Sequence, residues 1–198
     1  MTVRRTRGRG RVVAAVVAAG GLLVGCSGQP GAAAVVDGRT ITTAELATAQ
    51  EELAPIFAGA RTQDVLGVMI TEPIALEVAA DEGVGVNDEQ ARELLRTVAV
   101  QALGEEEGSA REFGPGALAV ARYSLAIAAL QDLPTAQAAA DEYQERVAAA
   151  DIEVNPRFGE FTDDLLVAPP TTPSWVVPEG GRNAPAEGAT PAPAPTPR

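Results

Sequence analysis

The sequence predicts a mainly α-helical domain closed by a short pairing of its N- and C-terminal strands. Three observations carry that prediction. Apolar residues recur at helical spacing through most of residues 43–149. Polar cap residues, Thr42 before Glu45 and Asn87 before Gln90, stand where apolar runs begin. Two alternating segments, one at each end, bracket about five helical runs.

The first of these segments, Ala34-Val35-Val36-Asp37-Gly38-Arg39-Thr40-Ile41-Thr42, is a strand that turns at Asp37-Gly38, a dipeptide suited to tight hairpins. Thr42 and Glu45 open a helix over 43–58, with Leu46, Ala49, Leu53 and Phe57 along one face. Pro55 shortens or kinks it, and Gly59 ends it. A second helix over 62–82 is apolar on nearly every side, through Val65, Leu66, Met69, Ile70, Ile74 and Val78, as expected of a central, buried helix. Pro73 should kink it. Gly83 and Gly85 stop it, with Val84 and Val86 packing across the turn. Asn87 and Gln90 cap a third helix through Leu94, Leu95, Val98 and Leu103.

Glu105-Glu106-Glu107-Gly108 is expected to be a charged loop, with Ser109 and Glu112 capping the next piece until Gly114-Pro115-Gly116 breaks it. Residues 117–130 form another apolar helix, and an alanine-rich helix comes after Pro134, over 135–149. Asp151-Ile152-Glu153-Val154-Asn155 alternates as an edge strand and should lie beside the N-terminal one. The domain is expected to span 34–161. Residues 162–198 form a Pro-rich tail without the apolar mass to fold. Trp175, with Val176 and Val177, is the exception there, able to pack on the domain or meet a partner.

The N-terminus implies export. Arg4, Arg5, Arg7, Arg9 and Arg11 precede an apolar stretch over 12–24, far short of the ~20 residues that span a bilayer as a helix. It closes on Leu23-Val24-Gly25-Cys26, the form of a lipobox, in which small residues admit the backbone to the peptidase and the Cys26 thiol takes the lipid. Residues 1–25 are thus expected to leave as a lipoprotein signal peptide, by the general or the twin-arginine route. Residues 26–33 then serve as tether. The expected location is the cell membrane, lipid-anchored through Cys26 on the extracytoplasmic face.

Composition narrows the chemistry. Five of the 15 basic residues leave with the leader and none of the 27 acidic ones does, so the formal net charge moves from −12 to −17. Such a chain is repelled by nucleic acid. There is no histidine, which removes the usual general base and the commonest metal ligand. All the basic residues are arginines, so Ser109, Ser124 and Ser174 have neither a histidine nor a lysine to activate them. The single cysteine is taken by the lipid, leaving no disulfide. Glu105-Glu106-Glu107, Asp141-Glu142 and Asp163-Asp164 are the acidic clusters that could attract a cation, but consecutive carboxylates read first as solvated runs. No catalytic, cofactor or metal site is expected; a hydrolase built on a carboxylate pair would need two acids brought together in space.

The lipobox, the Ala34–Thr42 strand and the capped helix after it together resemble the opening of SurA-type and PrsA-type foldase chaperones. Gly83-Val84-Gly85-Val86-Asn87-Asp88-Glu89-Gln90 is similar to a helix junction of that family, and Asp151-Ile152-Glu153-Val154-Asn155-Pro156-Arg157-Phe158-Gly159 to its closing strand. The likeness covers about residues 33–161. It implies a SurA-N-like helical domain that holds unfolded or partly folded exported polypeptides. The family's parvulin domain, which uses histidines and a cysteine, has no counterpart here, so isomerase activity is not implied. The rival expectation is a structural or adaptor lipoprotein that grips one dedicated cell-envelope partner.

Overall fold

The computed structural model describes residues 30–171, so Cys26, Ser174, Trp175, the signal peptide and most of the expected tail lie outside the described residues. The fold is mainly α. Strands β1 (Ala32–Val36) and β2 (Arg39–Thr42) lead into α1 (Thr43–Leu53), α2 (Thr62–Asp81), α3 (Asp88–Leu103), α4 (Glu105–Ser109), α5 (Pro115–Gln131) and α6 (Ala136–Ala149). Strands β3 (Ile152–Val154), β4 (Glu160–Phe161) and β5 (Val167–Ala168) complete it.

The hairpin turns where the sequence places it. Asp37 and Gly38 both have positive φ, 48° and 81°, the left-handed geometry that a tight turn between twisted strands requires. β1 lies at the centre of a three-stranded antiparallel sheet of order β2-β1-β3, so the N-terminal strand does meet the C-terminal one. The two capping boxes form as expected. Thr42 and Asn87 each accept from the backbone N–H three residues on, and the Glu45 and Gln90 side chains accept in return from the cap N–H.

α2 is the central element. It packs most extensively on α5, and more than half of its residues are buried. Its hydrogen-bonded run continues through Pro73. The core is in two parts. One gathers β1, β2, α1, the first half of α2, α3 and the start of α5. The other joins the second half of α2 to the end of α5 and to α6. Ile152 and Phe161 pack against both.

Four expectations need correction. Glu105 to Ser109 is a short helix and not a loop: Gly108 lies flat on α3, where an added Cβ would stand 2.5 Å from the Val100 Cα. Ser109 does not cap the next helix, because its hydroxyl donates back to the Glu105 carbonyl at 2.6 Å. The cap of α5 is Gly114, whose N–H is taken by the Glu52 carboxylate of α1 at 2.9 Å, with Pro115 at the first helical position. Phe57 is off the buried face, since α1 ends at Leu53 and leaves the ring 39% exposed.

The folded part also runs past residue 161. β4 and β5 pair antiparallel, and Val167 is buried against Gly67 of α2. Gly159 makes the return possible: its φ is +128°, and a Cβ there would collide with the Ala168 carbonyl oxygen. Composition alone hides this hairpin, because Val167 is its one fully buried large side chain, with Phe161 and Leu165 only partly buried against the core.

Candidate functional site

The candidate site is built around β3, which is at the edge of its sheet. Asp37 N–H donates to the Asp151 carbonyl at 2.9 Å, and Asn155 N–H to the Ala33 carbonyl at 2.9 Å. Asp151 N–H returns to the Asp37 carboxylate, and the Asn155 side-chain amide donates to the Ala32 carbonyl, each at 2.9 Å. These four bonds clamp both ends of β3 onto β1. Because antiparallel residues alternate in the direction of their backbone groups, the N–H and C=O of Ile152 and Val154 face away from β1.

Ile152 and Val154 also line a cleft of about 750 Å³. Its apolar wall is Ile152, Val154, Phe161, Ala168, Pro169 and Pro170, with Arg157 and Glu160 as polar members. Arg157 is held over the Phe158 ring at 5.7 Å from its centroid, which fixes a cation near the cleft. On the other side of Ile152 and Phe161 a second cleft of about 640 Å³ opens between α6 and the β4–β5 hairpin. Val147, Ala150 and Leu165 add apolar surface there, while Asp163 and Asp164 line its polar side. Leu166, at the hairpin tip, is 62% exposed. The arrangement offers a strand edge with main-chain donors and acceptors, flanked by one largely apolar hollow and one of mixed polarity. That combination suits an extended polypeptide: the edge supplies hydrogen bonds and the hollows take alternate side chains.

A second constellation lies in the interior. Glu72 of α2 is 2% exposed, and Arg122 of α5 grips it: Nε and Nη2 both reach Oε1 at 2.6 Å. The Arg122 Nη1 donates to Asp88 at the start of α3 at 2.7 Å, and Arg39 of β2 approaches Glu72 at 3.6 Å. Burial of Arg122 opposes its charge, but the hydrogen bonds and charges of Glu72 and Asp88 outweigh it and raise its pKa. The cluster ties β2, α2, α3 and α5 together around the buried Glu72 carboxylate. In the second core the Tyr143 hydroxyl lies 3.4 Å from that of Tyr123, and burial, above all, pushes the Tyr143 pKa well up.

The acidic clusters named from the sequence stay apart. Glu105, Glu106 and Glu107 are exposed on the first turn of α4, with Glu107 paired to Arg111 at 3.8 Å. Asp141 accepts from Gln137, Glu142 pairs with Arg146, and Asp163 and Asp164 sit on the hairpin turn. Among the described residues no three His, Cys, Asp or Glu side chains converge as a metal-binding group. Ser109 and Ser124 spend their hydroxyls on carbonyls of their own helices. Among the described residues no helix is long and apolar enough to cross a membrane.

Sequence reasoning placed β3 at an edge but missed both clefts, since their far walls fall in residues 162–171. It also missed the Glu72–Arg122 pair, for which a signal existed: each is a lone charge inside an apolar helical run, and two such charges of opposite sign predict a buried partnership. Comparison with protein-family models, with curated proteins and with solved structures finds no match for this chain.

Proposed function

We propose that the chain is a membrane-tethered extracytoplasmic holdase, anchored by lipid on Cys26, which binds unfolded or partly folded exported polypeptides without isomerase chemistry. The observation that carries this reading is the outward edge of β3, whose Ile152 and Val154 turn their main-chain groups away from β1 and also line a largely apolar cleft. Unfolded chains share a backbone and scattered apolar side chains, and little else. A strand edge beside an apolar hollow recognises those common features without demanding a sequence. The resemblance of the Ala34–Thr42 strand and its capped helix to the foldase-chaperone family supports the same reading, as does the lipobox at Leu23-Val24-Gly25-Cys26.

The test uses the lipid-free form, residues 27–198. Light scattering of a denatured client diluted into buffer should stay low at near-stoichiometric amounts of this protein and rise with an equally acidic control. Unchanged aggregation removes the holdase, and recovery of a single crosslinked partner from the envelope would put an adaptor lipoprotein in its place. Anchoring is tested separately: Cys26→Ser should abolish the lipid mass on the N-terminal peptide and release the protein from the membrane fraction.

A further inference from the structure

The cleft between α6 and the β4–β5 hairpin sets apolar surface and unpaired negative charge side by side. Val147, Ala150, Ile152, Phe161 and Leu165 give it an apolar lining, and Asp163 and Asp164 give it charge. No arginine lines it. Both aspartates are exposed, and neither enters an ion pair among the described residues. The turn that carries them is tied at several points. Leu165 N–H donates to the Thr162 carbonyl and Thr162 N–H to the Leu166 carbonyl, each at 2.9 Å. The Thr162 hydroxyl reaches the same Leu166 oxygen at 3.1 Å. Leu165 takes φ 60°, a left-handed conformation that is costly for leucine, and its side chain packs against the second core. The turn is therefore set beside the apolar wall before any partner arrives, which lowers the ordering cost of binding.

Charge decides what fits. A second copy of the chain is disfavoured, since bodies with an expected mature charge of −17 repel each other. A two-fold pairing centred on β3 would also set Glu153 opposite Glu153. An uncharged apolar segment would cover the wall and leave the carboxylates to water. A segment in which a large apolar residue stands beside lysine or arginine uses both features. We propose that this cleft selects such cationic and apolar segments: the apolar side chain lies against Val147, Ile152, Phe161 and Leu165, and its basic neighbour meets Asp163 and Asp164. The proposal names the client class of the holdase and rests on that reading for its role; the binding itself does not.

The test is fluorescence anisotropy of labelled hexapeptides with the lipid-free chain, residues 27–198. It is run at about 0.15 M salt, where a screening length of ~8 Å silences distant charges. Leu alternates with Lys in one peptide, with Ser in a second and with Glu in a third, and Ser alternates with Lys in a fourth. Leu–Lys should bind about five- to thirtyfold more tightly than Leu–Ser, the gain from one or two exposed ion pairs. Leu–Glu should bind least, and Ser–Lys less well than Leu–Lys. Asp163→Asn with Asp164→Asn should bring Leu–Lys down to the level of Leu–Ser and leave Leu–Ser unchanged. Glu105→Gln, Glu106→Gln and Glu107→Gln together remove more charge, on α4, and should leave the preference in place. Asparagine tolerates the left-handed turn, so Leu165→Asn thins the apolar wall and should weaken Leu–Lys and Leu–Ser alike.

Equal losses in the α4 and hairpin variants would assign the preference to overall charge and overturn the proposal. Equal binding of Leu–Lys and Leu–Ser overturns it too, as does a dimer in sedimentation equilibrium that Leu165→Asn abolishes. Silence of all four peptides while client aggregation is still suppressed overturns the cleft and leaves the holdase. Leu–Lys binding that needs Asp163 and Asp164, without any suppression of aggregation, removes the holdase and leaves the cleft as a recognition site for a cationic segment.

Discussion

Glu72 and Arg122 show how much a single buried charge depends on its partner. Arg122 uses a planar fork to meet Glu72 and Asp88 at once, a geometry that lysine's single ammonium does not reproduce. Arg122→Ala leaves a carboxylate 2% exposed without that partner and should cost about 3–5 kcal/mol in urea unfolding. Arg122→Lys should lose a substantial part of that. Replacing both partners together, as Glu72→Leu with Arg122→Met, should recover most of the loss, because the uncompensated charge is then gone. A double variant as unstable as Arg122→Ala would mean the pair itself, and not the orphaned charge, sets the cost. Tyr143 gives a pH prediction. Burial raises its pKa in the folded state, so the native form keeps a proton that the unfolded chain releases above about pH 10. Its contribution is therefore complete below that pH and lost as pH rises, by up to ~1.4 kcal/mol per pH unit. Stability measured at about pH 9 and about pH 11 should fall less in Tyr143→Phe than in the parent; equal slopes would contradict the assignment.

At the scale of elements, glycine positions tell close crossings from ordinary ones. Gly116 of α5 lies against α1, and an added Cβ would stand 2.7 Å from the Ala49 Cβ and 3.2 Å from the Glu45 carbonyl. Helix propensity alone would favour alanine there, but the overlap wins, and Gly116→Ala should destabilise by about 1–3 kcal/mol. Gly67 of α2 is also buried, yet its nearest neighbour would be the Val167 Cγ2 at 3.7 Å, an ordinary contact. Gly67→Ala should therefore stabilise by about 0.5–1 kcal/mol, through the unfolded chain's lost freedom. Differential scanning calorimetry of the two variants should give shifts of opposite sign. The same locality explains what was legible in the sequence. Thr42 with Glu45 and Asn87 with Gln90 cap within four residues, so their boxes can be read directly. Gly114 is capped by Glu52 from another helix, and Ser109 prefers its own Glu105 carbonyl, so the third signal misled. The β3 edge was legible from its alternation. Its cleft was not, because the opposing wall depends on Gly159 permitting a two-residue strand to return.

For the molecule as a whole, charge is the dominant imbalance. Arg39, Arg61, Arg92, Arg96, Arg111, Arg122 and Arg146 are all committed to ion pairs, and Arg157 lies over Phe158. The remaining acids of a chain whose expected mature charge is −17 have few cations to meet, so they repel one another across the surface. Salt acts on two opposed terms. It weakens the exposed pairs, each worth about 0–1 kcal/mol, and it relieves the general repulsion. The Glu72–Arg122 pair is buried and little screened, so the repulsive term should prevail. Raising sodium chloride from about 0.01 to about 0.15 M, which shortens the screening length from ~30 to ~8 Å, should therefore raise the thermal midpoint. Each kcal/mol gained appears as roughly 2–4 °C for a chain of this size. If the proposed holdase reading holds, capture of basic clients should respond in the opposite direction, since the same field speeds their encounter and salt removes it. A midpoint that falls with salt would show that attractive pairs outweigh the acidic surplus in setting stability.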